Sequence, residues 1–222
     1  MYPSRGDKDF ELYCVNDIKA WQPSLRDHGI DYTTNSFRMR MSSDPKYNPD
    51  SVVFLGGSDT WGVGMAYEDT YVHLISQQLG LEAVNLGVPA GGMDSAFRIY
   101  HQWQPLIKAR YTVFNVTPGV RREVICTSKI DYSRVTECKI LGRWNVDSMP
   151  DLLQQHLNDY EYTMQRYKNI AGITALAKEH NSHLIVIENT EEWPTTAADG
   201  MHYGKEYHTW VTEQAIKGVA KQ

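Results

Sequence analysis

The chain of 222 residues is 41% hydrophobic and 22% charged, with a net charge of −5. Those totals describe one sizeable globular domain of about 150–200 residues with an appendage, and the excess of acid leaves no electrostatic case for nucleic acid or an anionic membrane as partner. No run approaches the roughly 18 apolar residues that a membrane span needs.

Residues 1–50 are polar and interrupted by Pro3, Pro23, Pro45 and Pro49, so they read as an N-terminal arm packed on a main domain over 51–222. "SVVFL" (51–55) is a short apolar run bounded by turn residues, the pattern of a strand buried on both faces. "EDTYVHLISQQLG" follows with Tyr71, Leu74, Ile75 and Leu79 at helical spacing and Gly80 as a stop. "EAVNLG" predicts a second strand. "MDSAFRIYHQWQPLIKAR" predicts a helix capped by Asp94 or Ser95, with Phe97, Tyr100, Trp103 and Ile107 on one face and Pro105 as a point of kinking. "YTVFNV" predicts a third strand, and 117–148 reads as an irregular surface excursion. From Met149 to Asn181 one long amphipathic helix is expected. Its Leu153, Leu157, Tyr160, Met164 and Tyr167 recur at steps of three and four, facing the sheet or a dimer seam. "HLIVIE" predicts a fourth strand and "GKEYHTWVTEQAIKGVAKQ" a closing helix. Strand and helix alternate throughout, which predicts a three-layer α/β/α sandwich on a parallel sheet, with its site at the carboxyl ends of the strands.

Those ends carry Ser58 in "VVFLGGSDTWGVG" (52–64), the "NLGVPAGG" loop, the segment after Val116 and the loop from Asn189 to His202. The glycines around Ser58 lack the Lys-Ser/Thr pair of a phosphate loop and the spacing of a dinucleotide fingerprint. Two readings remain for the serine: a plain turn residue that caps a helix, or a nucleophile. A nucleophile needs a base and an orienting acid. "DGMHYGKEYH" (199–208) offers them: Asp199 and His202 are three apart, so the carboxylate can reach imidazole Nδ1 and leave Nε2 to take the serine proton. A zinc set of Asp199, His202 and His208 lacks a further ligand at firm spacing, and His208 reads as structural.

Three segments in this order resemble the SGNH (GDSL-type) hydrolases. "FLGGSDTWGVG" looks like the family's nucleophile block, "VNLGVPAGGMDSAFR" like its second block, and "DGMHYGKEYH" like its last, while "DYTTNSFRMR" (31–40) is similar to a lead-in that precedes the nucleophile strand. The resemblance implies a flavodoxin-like sandwich with a central, mostly parallel sheet of about five strands. It implies a Ser58–His202–Asp199 triad, and an oxyanion hole of backbone N–H groups at Ser58 and at Gly91 or Gly92. Two departures stand out. Gly57 replaces the family's Asp before the nucleophile, with Asp59 after it, and "VFNVTPGVRRE" replaces the third block. Asn115 then lies too early in its strand to reach an oxyanion, and Thr117 at the strand exit is the better-placed third donor.

Asn85, Gly87, Asn115, Arg121 and Trp193 are the expected substrate-lining residues. Arg121 is suited to an anionic group, with a solvated surface cation as its plainer reading. Trp193 is suited to stacking, or to anchoring its own loop. The expectation is a serine ester hydrolase acting on a carbohydrate O-acetyl or short-chain ester, with no metal or organic cofactor. The alternatives are a binding module that keeps the fold without turnover and an acyl transferase to a sugar hydroxyl. Cys14, Cys126 and Cys138 are too far apart to read as a disulfide framework. "MYPSRGDKDFELYC" has no apolar signal core, which predicts a cytoplasmic protein and equally suits a virus-encoded one.

Overall fold

A computed structural model describes residues 29–117, 119, 121–127, 135–142, 154, 158–189 and 192–221. In chain order they form β1 (Ser51–Leu55), α1 (Ser58–Trp61), α2 (Tyr71–Leu79), β2 (Glu82–Asn85), α3 (Met93–Ile107), β3 (Tyr111–Asn115), β4 (Arg121–Thr127), β5 (Val135–Gly142), α4 (Asp159–Glu179), β6 (His183–Ile187) and α5 (Lys205–Val219). Cys14, Pro3, Pro23, Leu153 and Leu157 fall outside the described residues.

The main sheet is parallel and ordered β2-β1-β3-β6, with Val53 opposite Val84 and Thr112, and Val113 opposite Ile185. It has four strands among the described residues, against the five or so expected. Alternation along each strand decides which layer each side chain joins. Val53, Leu55 and Phe114 meet Ala96, Ile99, Tyr100, Trp103 and Ile107 of α3 and Ile173 and Ala177 of α4. Val52, Phe54, Val113 and Ile185 meet Val72 and Ile75 of α2 and Tyr207, Val211 and Ala215 of α5 on the other face. The expected three-layer sandwich is therefore present. Burying each large apolar side chain contributes about 1.5–3 kcal/mol.

The chain leaves β1 toward β2 on one side and returns to β3 on the other. The carboxyl ends of β1 and β3 thus flank the point where strand order reverses, which in open α/β sheets is where a crevice forms. Ser58 follows the first end and Thr117 the second.

Several local expectations needed correction. Helix α3 is not capped by Asp94 or Ser95: its N-cap is Gly92, with no side-chain cap. Asp94 instead accepts from Asn169 Nδ2 (3.0 Å) and Lys168 Nζ (3.2 Å) and lies 3.7 Å from Arg122 Nε, which joins α3 to α4 and β4. Segment 117–148 is not merely irregular, because β4 and β5 form an antiparallel pair with Arg121 opposite Gly142. The pair holds β-branched residues such as Val124, Ile125, Thr127, Val135 and Thr136, which favour strands even where the alternation is weak. Arg98 of α3 grips Glu123 of β4 with two hydrogen bonds, one of them 2.9 Å from Nη2 to Oε2.

The long helix is described from Asp159, with Asn158 as N-cap accepting from Glu161 N–H at 2.9 Å. Of the two faces expected for its stripe, the sheet is excluded, because the stripe points outward: Tyr160 is 75% exposed, Met164 48% and Tyr167 62%. Gln165, Asn169, Ile173 and Ala177 are buried instead. Both stripes have helical period, and the polar ties of Asn169 to Asp94 and of Arg122 to Glu161 select the second.

The lead-in segment supplies a brace that composition does not reveal. Arg40 is 1% exposed and donates to Gly62 O and to Met65 O (2.7 Å), with its guanidinium 4.5 Å above the Tyr32 ring. Tyr32 stacks on Trp61 (5.1 Å) and its hydroxyl accepts from Gly64 N–H (2.9 Å). Burial lowers the Arg40 pKa to about 10, with Tyr32 and Tyr67 acting against the shift. Arg40→Met is expected to destabilise the fold by roughly 3 kcal/mol, because two buried carbonyls lose charge-assisted partners. Urea unfolding measures it, and a change below about 1 kcal/mol would contradict the brace.

Candidate active site

The turn after β1 has little room for side chains. Gly56 has φ +154, and a Cβ there would lie 2.1 Å from Thr60 Oγ1 and 2.8 Å from Asn115 O. Only glycine suits that backbone and that approach. The chain then enters α1 at Ser58, which is 5% exposed.

The loop before α5 forms a tight turn closed by Ala197 N–H donating to His202 O (2.7 Å). Within it Asp199 Oδ1 accepts from the N–H groups of Met201 and His202, both at 3.1 Å, and Oδ2 lies 2.5 Å from His202 Nδ1. The side chains of His202 and Asp199 are 13% and 6% exposed. Burial works to raise the Asp199 pKa, but the bonds from the His202 N–H and ring and from Met201 N–H outweigh it and hold the carboxyl below its ordinary value.

Two contacts dock this loop on the Ser58 segment. Ala198 N–H donates to Gly64 O (3.0 Å), and Gly64 has φ +77 where a Cβ would meet Asp199 Oδ1 at 3.0 Å. Tyr203 N–H lies 3.4 Å from Asp59 Oδ1. Asp59 is thus the latch between the residue after Ser58 and the residue after His202. Burial raises its pKa, opposed by His202, by the Tyr203 N–H and by Arg121.

On the opposite side, a Cβ at Gly57 would lie 3.2 Å from Thr117 Cγ2, 3.3 Å from Thr117 Oγ1 and 3.4 Å from Arg121 Nη1. Thr117 is 5% exposed, and among the described residues its Oγ1 has no hydrogen-bond partner. Gly91 N–H is used in a turn to Val88 O (2.8 Å). Of the two expected backbone donors that leaves Gly92, whose N–H opens α3 without an intrahelical acceptor.

Other candidates serve the scaffold. Asn85 is 2% exposed, donates to Thr60 O (3.0 Å) and accepts from Gly87 N–H (3.0 Å). Gly87 packs against the backbone of Trp61, with a Cβ there only 2.6 Å from its nitrogen. Asn115 exchanges hydrogen bonds with Tyr207 (2.8 and 3.1 Å) and donates to Tyr71 Oη (3.2 Å), which in turn donates to Thr60 (2.5 Å). Both amides are occupied beneath α1, so they support it and are not offered to a substrate as expected. Trp193 donates to Asn189 Oδ1 (3.1 Å) and packs on Tyr207 and Trp210, the arrangement of a loop anchor. A cavity of about 460 Å³ lined by Asp31, Arg40, Tyr67, His73, Gln77 and Glu82 contains none of the residues around Ser58.

His208 is 1% exposed and its Nδ1 accepts from Tyr71 N–H (3.1 Å), so its proton is on Nε2. Burial, with Arg40 adding to the effect, lowers its pKa to about 3. Between about pH 6.5 and 3 the unfolded imidazole binds a proton that the folded one refuses. Stability must fall as pH drops through that window, by up to about 1.4 kcal/mol per unit. The depressed Asp199 pKa adds a loss of the same sign at the acid end. Urea unfolding at pH 7, 5.5 and 4.5 is expected to show a steep slope in wild type and a shallower one in His208→Gln. Equal slopes would contradict this origin.

Residues 19–121 match the model of a family described only as a domain of unknown function (DUF6473), a span that includes Ser58 but not Asp199 or His202. A search of the curated proteins finds no match. Solved structures similar to this chain include the psychrotrophic esterase EstA from Pseudoalteromonas sp. (9% identity, 78% of this chain and 97% of that one, TM-score 0.42). Others are a GDSL-like lipase from Bacteroides thetaiotaomicron (14%, 96% and 73%, 0.37) and a carbohydrate acetylesterase family member from Sinorhizobium meliloti (15%, 77% and 97%, 0.36).

Proposed function

We propose that the chain is a serine ester hydrolase of the SGNH type, acting on a small-molecule or glycan ester with a short acyl group. The observation that carries this reading is the Asp199–His202 pair, hydrogen-bonded within one loop and docked by Asp59 and Gly64 on the segment that begins at Ser58. His202 Nε2 takes the Ser58 proton as Oγ attacks the ester carbonyl. Asp199 keeps the imidazole in the tautomer with Nδ1–H and stabilises the imidazolium. The N–H groups of Ser58 and Gly92 and the hydroxyl of Thr117 receive the developing oxyanion. Collapse expels the alcohol, which takes the proton back from Nε2, and water repeats the sequence on the acyl-enzyme. The replacement of the third block by "VFNVTPGVRRE" favours a second reading, a binding module without turnover.

Fluorophosphonate labelling separates the two. The expected result is one adduct, mapped to Ser58, with p-nitrophenyl acetate hydrolysis lost in proportion. An unlabelled Ser58 together with background hydrolysis would remove the hydrolase reading. Acyl transfer to a sugar hydroxyl would appear as labelled Ser58 with turnover that requires an added sugar.

A further inference from the structure

Arg121 opens β4 and is held there by its neighbours, since Arg122 binds Glu161 and Glu123 binds Arg98. Its guanidinium lies between the two turns that frame the candidate oxyanion position. Nη1 donates to Gly91 O at 3.1 Å, and the same atom is 3.4 Å from where a Cβ on Gly57 would stand. A Cβ on Gly92 would meet the Arg121 Cβ at 2.9 Å. Thr117 Oγ1, without a hydrogen-bond partner among the described residues, faces the same Gly57 position from 3.3 Å. A guanidinium taken out of water needs a counter-charge. The Asp59 carboxyl acts against the fall in the Arg121 pKa that burial causes.

We propose that Arg121 is the cationic member of the oxyanion hole. This rests on the acyl-enzyme reading above. As the Ser58 Oγ–carbon bond forms, the carbonyl π pair moves to oxygen and the serine proton to His202 Nε2. A negative charge then arises beside Arg121 and a positive one on the imidazole. Arg121 gains a partner of opposite charge as the carbonyl oxygen becomes anionic, and it does not have to move. When the intermediate collapses, the charge beside Arg121 is lost with the re-formed carbonyl. A cation placed for the transition state in a site shielded from water acts on kcat, whereas one that holds an anionic substrate acts on KM.

The test uses the full chain and the neutral substrate p-nitrophenyl acetate. Arg121→Ala is expected to lower kcat by about 10²–10³-fold with KM within a few-fold, and to slow fluorophosphonate labelling of Ser58 comparably. Arg121→Gln keeps a donor for Gly91 O but no charge, and Arg121→Lys keeps the charge. Lys is expected to exceed Gln by at least about tenfold in kcat, a comparison that decides the matter even if the alanine variant fails to fold. Equal kcat values for Gln and Lys overturn the proposal. So does a loss confined to KM for an anionic ester such as p-nitrophenyl hemisuccinate. Failure of the hydrolase reading itself shows separately, as wild type unlabelled at Ser58.

Discussion

Replacing Ser58 by alanine is expected to reduce kcat for p-nitrophenyl acetate by about 10⁴–10⁶-fold with little change in stability. The size follows from the role: without Oγ no acyl-enzyme forms, and whatever remains comes from oxyanion stabilisation of direct attack by water. The modest stability effect follows from the surroundings. The fold uses the Ser58 carbonyl, which accepts from Gly62 N–H (2.8 Å) and Val63 N–H (3.0 Å), and alanine keeps it. Alanine is also a good helix former at the head of α1. Steady-state kinetics with thermal unfolding on the same samples measures both. Wild-type turnover in a folded Ser58→Ala variant would rule out covalent catalysis at this residue.

Asp199→Asn is expected to cost about 10⁴-fold in kcat through the wrong tautomer, not through a broken loop. Asn keeps an Oδ1 that can accept from the Met201 and His202 N–H groups, both now at 3.1 Å, so the turn survives. The change falls on the 2.5 Å contact to His202 Nδ1. An amide NH₂ facing Nδ1 donates to it and drives the ring proton to Nε2, the atom that must accept from Ser58. Wild-type and variant kcat on p-nitrophenyl acetate, with circular dichroism to check the fold, measure the effect. A loss smaller than about tenfold would transfer the orienting role elsewhere, and Asp59, which holds the same loop through the Tyr203 N–H, is the group to change next.

Much of the fold was legible because its strands are covered on both faces. "SVVFL", "YTVFN" and "HLIVI" are apolar runs of strand length, and the helices between them end at strong signals such as Gly80, which has φ +65 and donates to Gln77 O (3.3 Å). The inward face of α4 was not legible, because Tyr160, Met164 and Tyr167 make as regular a stripe as the residues that are buried. Only the polar ties to α3 and β4 choose between them. The β4–β5 pair was missed for a related reason: its strands form a separate sheet whose placement rests on ion pairs with α3 and α4.

The site divides along the same line. The contact between Asp199 and His202 needs only a turn of four residues, so spacing alone predicts it. The strand ends that carry Ser58 and Thr117 follow from the apolar runs before them. The tertiary structure decided that Arg121 stands over Gly57, that Asp59 latches the His202 loop, that Gly91 N–H is used up in its own turn, and that Asn85 and Asn115 are consumed beneath α1. Each of these joins residues distant in sequence through groups whose hydrogen-bonding capacity is shared among competing partners. Local pattern fixes what a residue can donate or accept, and only packing determines which partner takes it.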